Sequence, residues 1–146
     1  MNNSYPTDIN LSWSQYRPLP DDVTLDADFS HVDHPVNFIK DNQDATYWFS
    51  NRGFGTVTIL FTKQEPISIV KIKTGFGSKK IGDFKIRAKV EPSHAQWENI
   101  GDTTVEVLPT TPDNPQTVHI PVAYGSYRLL QIVCVGVPLI HTLELE

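Results

Sequence analysis

Apolar residues recur at every second position in short runs along the chain, which is the spacing of half-buried β-strands. The clearest run is 84–90, where Phe84, Ile86, Ala88 and Val90 alternate with three basic residues. Helical spacing is nearly absent. Together with this run, seven others predict about eight strands, at residues 22–29, 56–61, 67–73, 104–108, 117–122, 127–135 and 139–146.

Turn-forming residues separate these runs, because the chain contains 11 prolines and 8 glycines. Short strands between such turns are typical of an all-β sandwich or barrel. At 146 residues, one domain is expected. Pro6, Pro18 and Pro20 predict an extended N-terminal arm over residues 1–22 and a folded domain over residues 23–146.

The single cysteine, Cys134, excludes an internal disulfide, and the apolar run around it predicts a buried thiol. The first residues lack the charged start and apolar core of a secretory signal. The apolar runs are too short to span a bilayer. We therefore expect a soluble chain, in the cytoplasm or as part of a virus particle.

The net charge of −5 hides a basic segment, because residues 71–89 hold seven of the 12 basic residues and one aspartate. If the strands 67–73 and 84–90 are neighbours, they form a basic strip for an acidic subunit or an anionic glycan. The alternative is an ordinary solvated face, and nucleic acid is disfavoured because no aromatic residues interleave with the charges. The predicted strip comprises Lys71, Lys73, Lys85, Arg87 and Lys89.

The order of these segments resembles the discoidin, or coagulation factor 5/8 type C, family, whose bacterial members include carbohydrate-binding modules. The family's Asp-Gly-Asn-x-x-Thr-x-Trp turn is matched by Asp41, Asn42, Gln43, Thr46 and Trp48. A strand pair followed by Trp97, the "YRLLQI" segment that keeps one of two family arginines, and a short last strand complete the match. The resemblance covers residues 23–146 and implies an eight-stranded, galactose-binding-domain-like jelly-roll β-sandwich.

The resemblance also implies a structural calcium site, built in relatives by this turn and a glutamate of the last strand. That glutamate falls on Thr142 here, and Glu144 lies two residues further on the same face. The predicted ligands are Asp41, Asp44, Thr46 and Glu144. The alternative is a turn that is satisfied by its own side chains, and no cofactor is then required.

The family binds ligands through loops at one end of the sandwich, and three loops carry suitable side chains. Planar polar groups pair with sugar hydroxyls, and an aromatic face packs against the C–H side of a sugar ring. Equally, these residues could be ordinary solvated loop positions. The candidates are His31, Asp33, His34, Asn51, Arg52, Phe54, His94 and Gln96.

The tryptophans divide into two groups. Trp48 and Trp97 stand where the family packs an aromatic residue at a strand start, so we expect both in the core. Trp13 lies in the arm with Tyr16, where exposed aromatic surface is unfavourable. The arm is therefore predicted to dock on a neighbouring subunit or partner through Trp13 and Tyr16.

Catalysis is not indicated, because the sequence lacks the common hydrolase, metalloprotease and paired-cysteine motifs. Cys134 could form a thiol pair with His119 or His141, but His119 and Cys134 both fall in strands, which favours packing in the core. The sequence predicts a non-catalytic module that binds carbohydrate or a similar polar ligand. The alternative is a structural or adaptor subunit of an oligomer or larger assembly, such as a phage or virus particle or a ciliary-type complex.

Overall fold

The computed structural model describes residues 16–41, 43–111 and 113–146, and these form an antiparallel β-structure with one short 3-10 helix, Val36–Lys40. The all-β prediction is confirmed. The strands are β1 (Arg17–Pro18), β2 (Thr24–Ala27), β3 (Trp48–Phe49), β4 (Phe54–Thr74), β5 (Lys80–Lys89), β6 (Glu98–Val107), β7 (Gln116–Val135), β8 (Leu139–Ile140) and β9 (Thr142–Leu145).

Two long strands, β4 and β7, pair along most of their length and run through both layers of the sandwich. The first half of β4 also pairs with β2, and the second half pairs with β9. The register shifts between Leu60 and Glu65 and again between Ile67 and Ile69, which lets each strand bend from one layer into the other. The predicted strands 56–61 and 67–73 are therefore two halves of β4, as 117–122 and 127–135 are of β7.

The core lies between the inward faces of these layers. The alternation predicted for residues 84–90 is confirmed as far as Ala88, because Phe84, Ile86 and Ala88 have no exposed surface. The predicted core position of Val90 is wrong: it follows the end of β5 at Lys89 and is exposed. Each buried aliphatic or aromatic side chain contributes roughly 1.5–3 kcal/mol through removal of apolar surface from water. Cys134 is also fully buried, as predicted, and burial raises the pKa of its thiol, so the group stays protonated and unreactive.

Trp48 is the largest of the fully buried side chains. Its indole Nε1–H donates to the Phe29 carbonyl and to Ser30 Oγ, both at 3.0 Å. Strand β3, which holds Trp48, pairs with β8. A Cβ atom at Gly55 would lie 2.9 Å from the indole ring, so only glycine allows this close approach. The prediction of Trp48 in the core is confirmed.

The sandwich begins earlier than the predicted boundary at residue 23. Strand β1 pairs with β9, and Leu19 is buried at 5% exposure. The ring of Tyr16 lies 5.7 Å from the ring of His119, and the Lys71 ammonium lies 5.0 Å from the Tyr16 ring centroid. Tyr16 thus packs on its own domain rather than standing free for a partner, whereas Trp13 lies outside the described residues.

His119 is exposed, so its predicted place in the core is wrong. Its neighbours Val118 and Ile120 are buried. Because successive side chains of a strand point to opposite faces, those two residues place His119 on the outer face. No thiol pair with the buried Cys134 can form from that face.

His141, between β8 and β9, forms a hydrogen bond with the polar turn that contains Asp41 and Asp44 and precedes β3. It is 2% exposed, and its backbone N–H donates to the Lys73 carbonyl at 2.7 Å. Its ring Nδ1–H donates to the Asp44 carbonyl. Burial lowers the pKa of His141, and the nearby Lys73 ammonium acts in the same direction, whereas Asp44 opposes both.

Trp48→Phe should lower the free energy of unfolding by roughly 1–3 kcal/mol, because the smaller ring leaves the Phe29 carbonyl and the Ser30 hydroxyl without their donor. Urea unfolding followed by circular dichroism measures this loss. Tyr124, at 76% exposure, offers the control: Tyr124→Ser should change stability by less than about 0.5 kcal/mol. Equal losses in both variants would contradict the role assigned to Trp48.

The fold should lose stability as pH falls below 6.5, the ordinary pKa of histidine, because His141 binds its proton more weakly when folded than when unfolded. At higher pH the ring is neutral in both states and this dependence vanishes. His141→Asn keeps an N–H donor for the Asp44 carbonyl and cannot titrate. Urea midpoints between about pH 5 and about pH 7.5 should therefore fall more in the parent than in this variant; identical slopes would refute the assignment.

Candidate functional site

The register of the sheet sorts the loops into two ends. Phe54 pairs with Val135, and Val135 pairs with Asp83, so the start of β4, the end of β7 and the start of β5 lie at one end. At the other end, Leu60 and Lys89 both pair with Leu129. We call the first the groove end, because a groove opens there between the loops that adjoin these strand termini.

The groove has two adjoining parts, of about 310 Å³ and about 200 Å³. Both are lined by Tyr47, Phe76, Gly77 and Leu139. The larger part adds His31, His34 and Phe49, and the smaller adds Gly75, Thr110, Thr111 and His141.

Aromatic rings form the wall of the groove. His34 stacks on Tyr47, with ring centroids 4.1 Å apart and planes inclined by 12°. The ring of His141 lies 5.0 Å from that of Tyr47, and the ring of His31 lies 5.4 Å from that of His34. This contiguous set fixes the ring orientations, because each ring is held by a neighbour.

Two histidines of this wall, His31 and the more buried His141, have opposite hydrogen-bonding groups left free. His31 Nδ1 accepts from the Asp33 backbone N–H at 3.1 Å, so the neutral ring carries its proton on Nε2 and can donate from it. His141 donates from Nδ1 to the Asp44 carbonyl, so its neutral ring keeps Nε2 as an acceptor. The wall therefore contains both a donor and an acceptor.

The predicted loop 31–34 contributes to this groove in part. His31 and His34 line it, whereas Asp33 is exposed and does not. The backbone places this loop, because the His31 N–H donates to the Phe49 carbonyl at 2.7 Å and the Phe49 N–H donates to the His34 carbonyl at 3.3 Å. A ligand-binding role for His31 and His34 remains a prediction.

The predicted loop 51–54 lies at the same end but outside the groove. The Arg52 guanidinium lies 4.7 Å from the Phe29 ring centroid, and the rings of Phe29 and Phe54 meet edge to face at 5.4 Å. Asn51 is exposed. These residues form a separate aromatic surface beside the groove, on which Arg52 is held by cation–π attraction.

The predicted loop around His94 and Gln96 lies at the opposite end, because it follows Lys89 at the end of β5. The prediction that all three loops lie at one end of the sandwich is therefore wrong. His94, Gln96 and Trp97 line a separate open hollow of about 460 Å³. Trp97 is half-buried, with the Lys89 ammonium 4.9 Å from its ring centroid, so its predicted place in the core is also wrong.

Sequence reasoning missed most of the groove wall, namely Tyr47, Phe49, Phe76, Leu139 and His141. A signal existed for the first two. Because Trp48 is buried and side chains alternate along a strand, its neighbours must face away from the core. Phe76, between two glycines in a loop, was a weaker signal, and the sequence holds no local signal for Leu139 or His141.

The four residues predicted for calcium do not come together as a metal site. The Asp41 carboxylate accepts from the Gln43 backbone N–H and the Thr46 hydroxyl, so the turn satisfies itself as in the alternative interpretation. Asp44 pairs with Lys73 at 3.1 Å, and Glu144 pairs with Lys71 at 3.0 Å.

The neighbouring residues also fit calcium poorly. Strand register places Thr142, not Glu144, opposite Lys73. Over residues 16–41, 43–111 and 113–146, the structure holds no group of three or more His, Cys, Asp or Glu side chains that could bind a metal. The residues present thus lack the carboxylate-rich oxygen set that calcium prefers.

The predicted basic strip is not one patch, because β7 lies between the second half of β4 and β5 in the sheet order. Lys71 pairs in register with His119, whereas Lys85 pairs with Val133, near the other end of β7. Lys71 and Lys73 are ion-paired within the domain. A partner contact through Lys85, Arg87 and Lys89 on β5 remains a prediction.

Among the described residues, no helix is long and apolar enough to cross a membrane. Neither a protein-family model nor a curated protein matches the sequence. The similarities lie in solved structures instead.

The family 32 carbohydrate-binding module of Clostridium perfringens NanJ, solved with galactose, aligns with a TM-score of 0.71 and 14% identity, covering 89% of this chain and 98% of the module. The family 32 module of AlyQ, solved with 4,5-unsaturated mannuronic acid, aligns with a TM-score of 0.63 and 17% identity, covering 84% and 93%.

Two family 32 modules of C. perfringens ZmpB, solved together with GalNAc, align with a TM-score of 0.66 and 10% identity, covering 98% of this chain and 39% of that one. Identities this low establish shape rather than activity. The chain therefore has the galactose-binding-like, or discoidin, jelly-roll β-sandwich fold.

Proposed function

We propose that this protein is a non-catalytic carbohydrate-binding module that holds a sugar in the groove lined by Tyr47 and Phe76. The observation that carries the proposal is the continuous aromatic wall with a donor and an acceptor in it. The larger part, at about 310 Å³, lies at the lower end of the size range of small-molecule sites.

The chemistry of the wall suits a sugar ring. Sugars present an apolar C–H face and a rim of hydroxyls, and the rings of Tyr47, Phe49 and Phe76 offer surface to the first. The Nε2–H of His31 can donate to a hydroxyl, and Nε2 of His141 can accept from one. Burial lowers the pKa of His141, which favours its neutral form and avoids placing a charge against an uncharged sugar.

The structural neighbours support the same class of ligand. The modules of NanJ, AlyQ and ZmpB were solved with galactose, an unsaturated mannuronic acid and GalNAc, respectively. These sugars range from neutral to acidic, so the shared fold leaves the choice of sugar to the side chains of each groove.

Phe76→Ala should weaken binding of the preferred sugar by about tenfold or more, because it removes a wall of the groove. A glycan array identifies the sugar, and isothermal titration calorimetry measures the affinity. Trp97→Ala is a matched control: it also removes a half-buried aromatic ring beneath a lysine, but at the opposite end. It should change the affinity less than about twofold.

Arg52→Ala distinguishes the groove from the neighbouring aromatic surface of Phe29 and Phe54. If the groove is the site, this variant should lose less affinity than Phe76→Ala. A larger loss would place the ligand on the Arg52 surface and overturn the groove assignment. Failure to bind any sugar, together with a defined oligomer in solution, would favour the structural or adaptor subunit instead.

Lys80 sets an expectation about the charge of the sugar. Its ammonium lies 5.4 Å from the Phe76 ring centroid, and within the described part of the chain it has no ion-pair partner. Lys80→Met should weaken a uronic acid several-fold and leave galactose nearly unchanged. Calorimetry with both sugars checks this; an equal loss for both would show that the charge does not reach the ligand.

A further inference from the structure

The polar turn before β3 is held by a lysine rather than by a set of acidic side chains around a metal. The Lys73 ammonium lies 3.1 Å and 3.2 Å from the two carboxylate oxygens of Asp44. Lys73 stands within β4, paired with Thr117 on one side and Thr142 on the other, so its backbone is fixed by both neighbouring strands.

The same residue contacts the groove wall. The Lys73 carbonyl accepts from the His141 backbone N–H, and the His141 ring donates to the Asp44 carbonyl. Lys73, Asp44 and His141 thus form a closed set of three contacts. Because the His141 ring also lies against Tyr47, this set connects the turn to the groove.

The charges around the turn are balanced without a divalent ion. Asp44 has an ammonium at contact distance, Glu144 has Lys71, and the Asp41 carboxylate is occupied within the turn. A calcium ion beside Asp44 would lie within a few ångströms of the Lys73 ammonium, and like charges at that distance repel. It would also lack the six to eight oxygen ligands that calcium prefers.

We propose that the Lys73 ammonium takes the part of the structural cation in this fold, so that the turn and the groove are organised without calcium. The proposal is independent of whether the groove binds sugar. The Lys73 and Asp44 side chains are 27% and 44% exposed, so water screens the pair and its removal should have a modest effect.

The first test uses the unaltered protein. Its melting temperature should be the same in excess EDTA and in roughly millimolar calcium, and calorimetry should detect no calcium binding in that range. A calcium-dependent rise in melting temperature, or calcium binding in that range, would overturn the proposal without the need for any variant.

The second test compares two lysines of the same strand. Lys73→Met should lower the melting temperature by roughly 2–4 °C, and Lys73→Arg should restore most of the loss. Lys71→Met is the comparison variant on the same strand: it removes an ammonium of similar exposure from Glu144 and from the Tyr16 ring, away from the turn. Failure of Lys73→Arg to restore any of the loss would refute the cationic role assigned to Lys73.

The third test exchanges one cation for another. Thr142 lies opposite Lys73 in the strand register, so the double variant Lys73→Met with Thr142→Glu removes the ammonium and adds a carboxylate at the position paired with residue 73. Calcium should raise its melting temperature and leave that of Lys73→Met with Thr142→Gln unchanged. Equal responses of the two double variants would show that the ammonium does not occupy a cation position.

Discussion

The burial of Trp48 is the constraint on which the groove end of this molecule depends. The indole is buried in the core, and its N–H donates to the Phe29 carbonyl and the Ser30 hydroxyl. These two residues directly precede the loop 31–34, which carries His31 and His34. Because side chains alternate along β3, the buried Trp48 directs Tyr47 and Phe49 outward. One core residue therefore positions two aromatic residues of the groove and constrains the start of the loop that carries its histidines.

A second constraint is electrostatic and lies beside the first. The strand that leads to the groove carries Lys71 and Lys73, and each forms an ion pair with an acidic residue of a neighbouring segment. These lysines are part of the domain's own structure rather than a basic face for a partner. Their partial exposure makes each pair worth little by itself, so the effect of the Lys73 pair is to orient the turn rather than to stabilise the whole fold.

Much of the fold could be predicted from the sequence, whereas much of the site could not. The period-two pattern identified the strand residues because it depends only on which face of one strand is buried. It divided β4 into two strands, 56–61 and 67–73, because a bend within one strand and a turn between two strands give the same sequence pattern when the intervening residues are polar. It also could not tell that the loop of His94 lies at the far end, because that depends on the direction of each strand within the sheet.

The sequence by itself determined the class of fold and the burial of Trp48 and Cys134, and it left the turn at Asp41 open between a calcium site and a turn satisfied by its own side chains. All of these depend on contacts or periodicities within a few residues. The tertiary structure decided that Leu139 and His141 join Tyr47 in one groove, and that Lys73 meets Asp44. The Lys73–Asp44 contact joins residues 29 positions apart, and the hydrogen bond from His141 to the Asp44 carbonyl joins residues 97 positions apart. They depend on which strands pair and in which register, and a local pattern of apolar and polar residues does not encode that information.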